Sequence, residues 1–169
     1  MEAPRPQLPW RVQTRRHWLE LTEDPLDVAS AYDFLNRTDA GGVVLFSGTV
    51  RTYSSEMDQV SAIHYEAYLD LVADRLGEIA ATIEETFEEI RALVLVHRLG
   101  EVPAGAASVL VGCGAGHRDA AFGASRYGID TIKVAVPIWK QEINQQGAQW
   151  SGSATPLQDI PSIKKGSNG

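Results

Sequence analysis

The chain has 169 residues, of which 44% are hydrophobic and 22% charged. That is enough for one domain with a real core, and it excludes an extended disordered chain. The formal net charge of -7 argues against a general nucleic-acid binder. No apolar run approaches the roughly 20 residues that span a bilayer. Residues 1–16 are rich in Pro and Arg without an apolar core, unlike a secretory signal, so a cytoplasmic location is expected.

Residues 1–16 read as a flexible N-terminal extension, 17–160 as one domain and 161–169 as a flexible tail. Residues 17–21 predict a short strand. Asp24-Pro25 predicts a helix start, because Asp caps and Pro fits the first turn. Leu26, Ala29, Ala31, Phe34 and Leu35 carry that helix to about Arg37. Gly41-Gly42 break the chain before a buried strand over 43–51, and the polar residues 52–59 form a loop. A strand over 60–67 leads to a long amphipathic helix over 69–88, with Leu71, Val72, Leu76, Ile79, Ala80, Ile83 and Phe87 facing inward. Residues 93–99 and 107–113 predict strands joined through the turn Pro103-Ala104-Gly105. A third helix is expected over 119–134, ended by Pro137, and a last strand over 138–144, with Gln145-Gln146-Gly147 as its turn. Strands and helices alternate too irregularly for a doubly wound sheet. The fold class is therefore α+β with a mixed, mainly antiparallel sheet.

Cys113 is the only cysteine, so no internal disulfide forms. It lies in the apolar run Ser108-Val109-Leu110-Val111-Gly112-Cys113, where packing is a better reading than nucleophilic chemistry. Three of the four histidines, His17, His64 and His97, read as ordinary sheet residues. Cysteine and histidine spacing does not make a zinc site, and no metal is expected.

Three segments carry candidate chemistry. In Gly114-Ala115-Gly116-His117-Arg118-Asp119 a strand gives way to a helix, whose free N–H groups favour an anion. His117 and Arg118 add side-chain donors there, and Arg can grip a phosphate bidentately. A plain strand-to-helix turn accounts for the same residues equally well. In the segment from Lys133 to Lys140, two lysines flank an apolar stretch containing Pro137 and Trp139. Lys133 either complements the helix dipole or is desolvated by its neighbours into a base, proton shuttle or nucleophile. Gly48-Thr49-Val50-Arg51 ends a buried strand at a loop, where a charged residue faces either a site or water.

In this order the three segments resemble the large, catalytic subunits of molybdopterin synthase, over residues 41–150. The most specific pieces are Gly116-His117-Arg118 followed by Phe122, and Lys133-x3-Pro137-x-Trp139-Lys140 with Glu142. Gly48-x-Val50-Arg51, Tyr65-Glu66-x-Tyr68 and His97-Arg98-x-Gly100-Glu101 support them.

The resemblance implies an α/β-hammerhead-like single domain and a homodimer. It also implies pairing with a small ubiquitin-like sulfur carrier, in an assembly of two large and two small subunits. The carrier's C-terminal Gly-Gly tail, ending in a thiocarboxylate, would enter a pocket of the large subunit. Two sulfurs would pass in turn to cyclic pyranopterin monophosphate, forming the molybdopterin dithiolene as the cyclic phosphate opens. Lys133 would be the general acid/base near the carrier's terminal carbonyl, with Lys140 assisting and binding substrate. Gln141 and Glu142 fall in the substrate-contact stretch, His117 and Arg118 would bind phosphate or pterin, and Thr49, Val50 and Arg51 would complete the pocket. Residues from both chains of a dimer can enter one such site. Neither cofactor nor metal is implied, because the carrier brings the sulfur.

Two positions depart from the family pattern. Ala135 is apolar where relatives often have a second basic residue, which predicts a drier Lys133. The loop over 52–59 carries Tyr53, Glu56 and Asp58 in place of a His/Asn-rich turn. The alternatives are a non-catalytic paralogue that keeps only the carrier-binding groove, and an unrelated phosphate-ester-binding enzyme with the same cations. The sequence ends without Gly-Gly, so the carrier is expected to be a separate chain.

Overall fold

A computed structural model describes residues 6–151 and 157–163. Among them the chain order is β1 (Trp10–Gln13), β2 (His17–Thr22), α1 (Val28–Leu35), β3 (Gly42–Thr49), β4 (Ala62–Ala67) and α2 (Leu69–Thr86). There follow β5 (Ile90–Arg98), β6 (Gly100–Pro103), β7 (Ala107–Ala115), α3 (Arg118–Ala135), β8 (Ile138–Asn144) and β9 (Gly147–Trp150).

The strands form two sheets, one of five in the order β1-β2-β5-β7-β3 and one of four in the order β6-β4-β8-β9. Among the described residues only the β2–β5 pair is parallel, so the expected α+β class with mainly antiparallel pairing holds. The single sheet expected from the sequence is divided in two, and β6 and β9, which the sequence reading did not assign as strands, form the edges of the smaller one.

The five-stranded sheet is covered on both faces, as the unbroken apolar run of β5 requires. Alternate side chains point to opposite faces. Leu93 and Leu95 join Val72, Leu76, Ile79 and Ile83 of α2 and Ile129 and Ile132 of α3 in one core. Ala92, Val94 and Val96 meet Ala31 and Leu35 of α1 in another. Gly128 lets α3 approach closely: a Cβ there would lie 2.8 Å from Val111 Cγ1. Cys113 is fully buried, and burial pushes its thiol up to about 12, consistent with a packing role.

Several boundaries differ from the sequence reading. Helix α1 starts three residues beyond Pro25, because Asp27 rather than Asp24 caps it, its carboxylate accepting from the Ser30 N–H at 3.0 Å. Trp10–Gln13, expected to be loose, forms an edge strand on β2. Its anchor is the buried Glu20, which accepts from Arg11 Nη2 at 2.8 Å and from Trp18 Nε1 at 2.6 Å. Of the expected tail, residues 161–163 have no regular secondary structure, and 164–169 lie outside the described residues.

Candidate active site

The C-terminal end of α3 faces the junction of the two sheets. Pro137 excludes helix at Val136, and Val136 is extended, with φ -101 and ψ 125. The chain therefore leaves α3 just after Lys133 and enters β8 at Ile138. This brings Lys133, in the last helical turn, and Lys140, on β8, to one cleft of about 960 Å³. Thr49 from the end of β3 and Arg51 from the following loop line the same cleft.

Strand register selects what faces inward on β8. Lys140 pairs with Tyr65 and Glu142 with Ile63, and all four line the cleft. Gln141 lies between them and points to the other face; it is absent from the lining. Val50 is also displaced from the expected site. Its side chain is buried with Val60, Ile63 and Val102 behind the cleft wall.

Lys133 is exposed, not desolvated as the apolar neighbours suggested. Those neighbours, Ile129, Ile132 and Val136, are buried in the core, and Lys133 projects from the flank of that stripe. Arg51 is held on the loop by stacking, its guanidinium carbon 5.2 Å from the centre of the Tyr53 ring.

The floor of the cleft carries the expected Glu142 together with polar groups to which the sequence reading gave no role. Glu142 is only 5% exposed and accepts from Ser54 Oγ at 2.8 Å. Ser54 also accepts from the N–H groups of Glu56 and Met57, which ties the loop's turn to β8. Tyr65 bonds to Ser108, whose hydroxyl donates to the Gly48 carbonyl at 3.2 Å. Burial holds the Tyr65 phenol above its usual range, and the Glu142 charge pushes the same way, against the Ser108 bond.

His97 packs edge-on to Tyr65 at 5.1 Å between ring centres. Burial brings its pKa down to about 4, against the opposing effect of its bond to Arg98. Nδ1 lies 2.7 Å from the Arg98 carbonyl, so the neutral ring carries its proton on Nδ1 and leaves Nε2 as an acceptor. His97 gave no local signal, because a histidine in an apolar strand reads as sheet packing. Ser54 gave none either, since its partner is 88 residues away.

His117 and Arg118 are elsewhere. His117 caps the start of α3 without a side-chain cap bond, and it is 82% exposed, with Nε2 3.1 Å from Glu89 Oε2. The helix separates this tip from Lys133 by about 24 Å at 1.5 Å per residue. The expected site residues thus fall into two groups, one at each end of α3.

The model of the family described as "MoaE protein" matches residues 21–135. The chain belongs to the MoaE family. It is 38% identical over 135 residues to the molybdopterin synthase catalytic subunit 1 of Mycobacterium tuberculosis, spanning 80% of this chain and 90% of that protein. It is 35% identical over 145 residues to the molybdopterin synthase catalytic subunit of Bacillus subtilis, covering 86% and 91% of the two. The crystal structure of molybdopterin synthase from Staphylococcus aureus matches with a TM-score of 0.74 and 30% identity, over 83% of this chain and 99% of that one. The span matched by the family model includes Lys133.

Proposed function

We propose that the cleft is where this chain, as a molybdopterin synthase catalytic subunit, passes sulfur from a thiocarboxylated ubiquitin-like carrier to cyclic pyranopterin monophosphate. The reading places the work in molybdenum cofactor biosynthesis, in the cytoplasm. The observation that carries it is the convergence of Arg51, Lys133 and Lys140 on one cleft whose only carboxylate, among the described residues, is the latched Glu142.

Both reactants are anionic, and cations aimed at the developing charge are what such a transfer needs. Lys133 is exposed within reach of an incoming tail and acts as the general acid/base at the carrier's terminal carbonyl. Lys140 and Arg51 hold the substrate anion, with Thr49 beside Arg51 and Glu142 beneath Lys140. Trp139, Trp150 and Phe46 supply apolar wall for the pterin and the tail. The carrier seats on the open face and desolvates Lys133, a step the isolated chain leaves undone.

His117 and Arg118 serve the cleft of a second copy. They are exposed at the far end of α3, and a two-fold dimer brings the tip of one copy to the cleft of the other. Two such chains and two carriers make the working assembly.

The test is reconstitution of the full chain with carrier thiocarboxylate and cyclic pyranopterin monophosphate, followed by assay of the dithiolene. Wild type forms product, and Lys133→Ala loses about 10²–10⁴-fold in kcat, the usual worth of a general acid/base. Equal product from both proteins would move the chemistry away from Lys133. Carrier binding without product from wild type would favour a binding-only paralogue.

A further inference from the structure

Glu89 lies in the turn between α2 and β5 and has φ 56, in the left-handed region that side chains other than Gly, Asn and Asp seldom adopt. A glycine would relieve the backbone there, yet a long acid occupies the position. Its side chain is used. Glu89 Oε2 stands 3.1 Å from His117 Nε2, and Oε1 stands 3.4 Å from Arg91 Nη2.

The neighbouring backbone is shaped around this side chain. The Gly116 N–H donates to the Glu89 carbonyl at 2.9 Å. A Cβ on Gly116 would lie 2.7 Å from both Cδ and Oε2 of Glu89. The glycine of the Gly116-His117-Arg118 motif thus leaves room for the Glu89 carboxylate to lie across the chain and reach the imidazole. Arg91 is itself fixed, its Nε donating to the Asp39 carbonyl at 3.2 Å, and it offsets the carboxylate's charge.

We propose that Glu89 is a positioning residue that aims His117 at the substrate anion, a role that rests on the reading of His117 as a substrate ligand. The 3.1 Å approach of the carboxylate restrains the ring and favours a proton on Nε2, because a carboxylate only accepts. With both nitrogens protonated the ring pairs with Glu89 and has Nδ1 to offer a phosphate oxygen. Without Glu89 the exposed ring is free to rotate, and ordering it falls to the substrate.

The test uses the assembled synthase with thiocarboxylated carrier and reads KM and kcat for cyclic pyranopterin monophosphate. Glu89→Gly accepts the backbone conformation and deletes the contact. It is expected to raise KM about tenfold, the scale of one charge-assisted hydrogen bond, with kcat within about twofold and an unchanged melting temperature. A rise in KM alone is the signature of lost uniform binding. Glu89→Gln, whose amide oxygen still accepts from Nε2, recovers part of the loss. His117→Ala raises KM as well, and adding Glu89→Gly to it changes nothing further. A wild-type KM in Glu89→Gly beside an impaired His117→Ala would overturn the positioning role, as would additive losses in the double variant. A wild-type KM in His117→Ala would overturn the underlying reading of His117.

Discussion

His117 and Lys133 stand at opposite ends of α3, about 24 Å apart along the helix axis. Both belong to the motifs that carry the family resemblance, yet the span between them exceeds one fused four-ring pyranopterin phosphate. The continuous helix between them is fixed by its buried face, from Ala121 through Ser125, Ile129 and Ile132 to Ala135. That span is the reason the proposed site draws on a pair of chains, with His117 of one copy at the cleft of the other.

His97 makes stability depend on pH. Its folded pKa, about 4, is below the ordinary value of 6.5, so the unfolded chain binds the proton more readily. The contribution is complete above about pH 6.5 and is lost as pH falls toward 4, at a slope near 1.4 kcal/mol per unit and on the order of 3 kcal/mol in all. Urea titrations of wild type and His97→Gln across that window should diverge, with wild type showing the steeper loss. Parallel curves would mean that His97 titrates freely in the folded protein.

Ser54→Ala leaves the buried Glu142 carboxylate without its 2.8 Å donor and the turn without its acceptor. A buried polar group deprived of its partner costs about 1–3 kcal/mol. The urea midpoint should fall accordingly, and Ser54→Thr, which keeps the hydroxyl, should recover most of it. An unchanged midpoint in Ser54→Ala would show that water replaces the serine at no cost.

Gly128→Ala sets two effects against each other. Alanine favours helix by about 1 kcal/mol over glycine. Its Cβ, however, would lie 2.8 Å from Val111 Cγ1 and 3.4 Å from Leu95 Cδ2. Valine is stiff at χ1, and overpacking costs about 1–3 kcal/mol. A net loss of stability is expected in thermal melts; a gain would mean that α3 moves off the sheet freely.

Helices α2 and α3 were legible because their apolar residues recur at helical spacing over 18 residues each. The end of α3 was legible from Pro137 alone. Strands β6 and β9 were not, since four residues carry too little alternation to separate a strand from a turn. The α1 cap was misplaced because Asp24 and Asp27 both precede apolar residues, and only the Ser30 contact decides between them. In the site, Arg51, Lys133 and Lys140 were recognisable as cations at element ends. The exclusion of Val50 and Gln141 depends on which face of the chain meets the cleft, and the latch from Ser54 to Glu142 depends on tertiary contact. The split of His117 from Lys133 follows from helix length, but its consequence needs a second chain.

The shared site is tested most directly by mixing two impaired variants. Lys133→Ala and His117→Ala are prepared separately, unfolded and refolded together in equal amounts, and assayed with carrier at substrate well below KM, where a raised KM lowers the rate in proportion. Random pairing in a two-fold dimer leaves about one site in four with both groups intact, so activity near a quarter of wild type is expected where each variant alone has little. A mixture no more active than the mean of its components would contradict a cleft completed by the neighbouring chain.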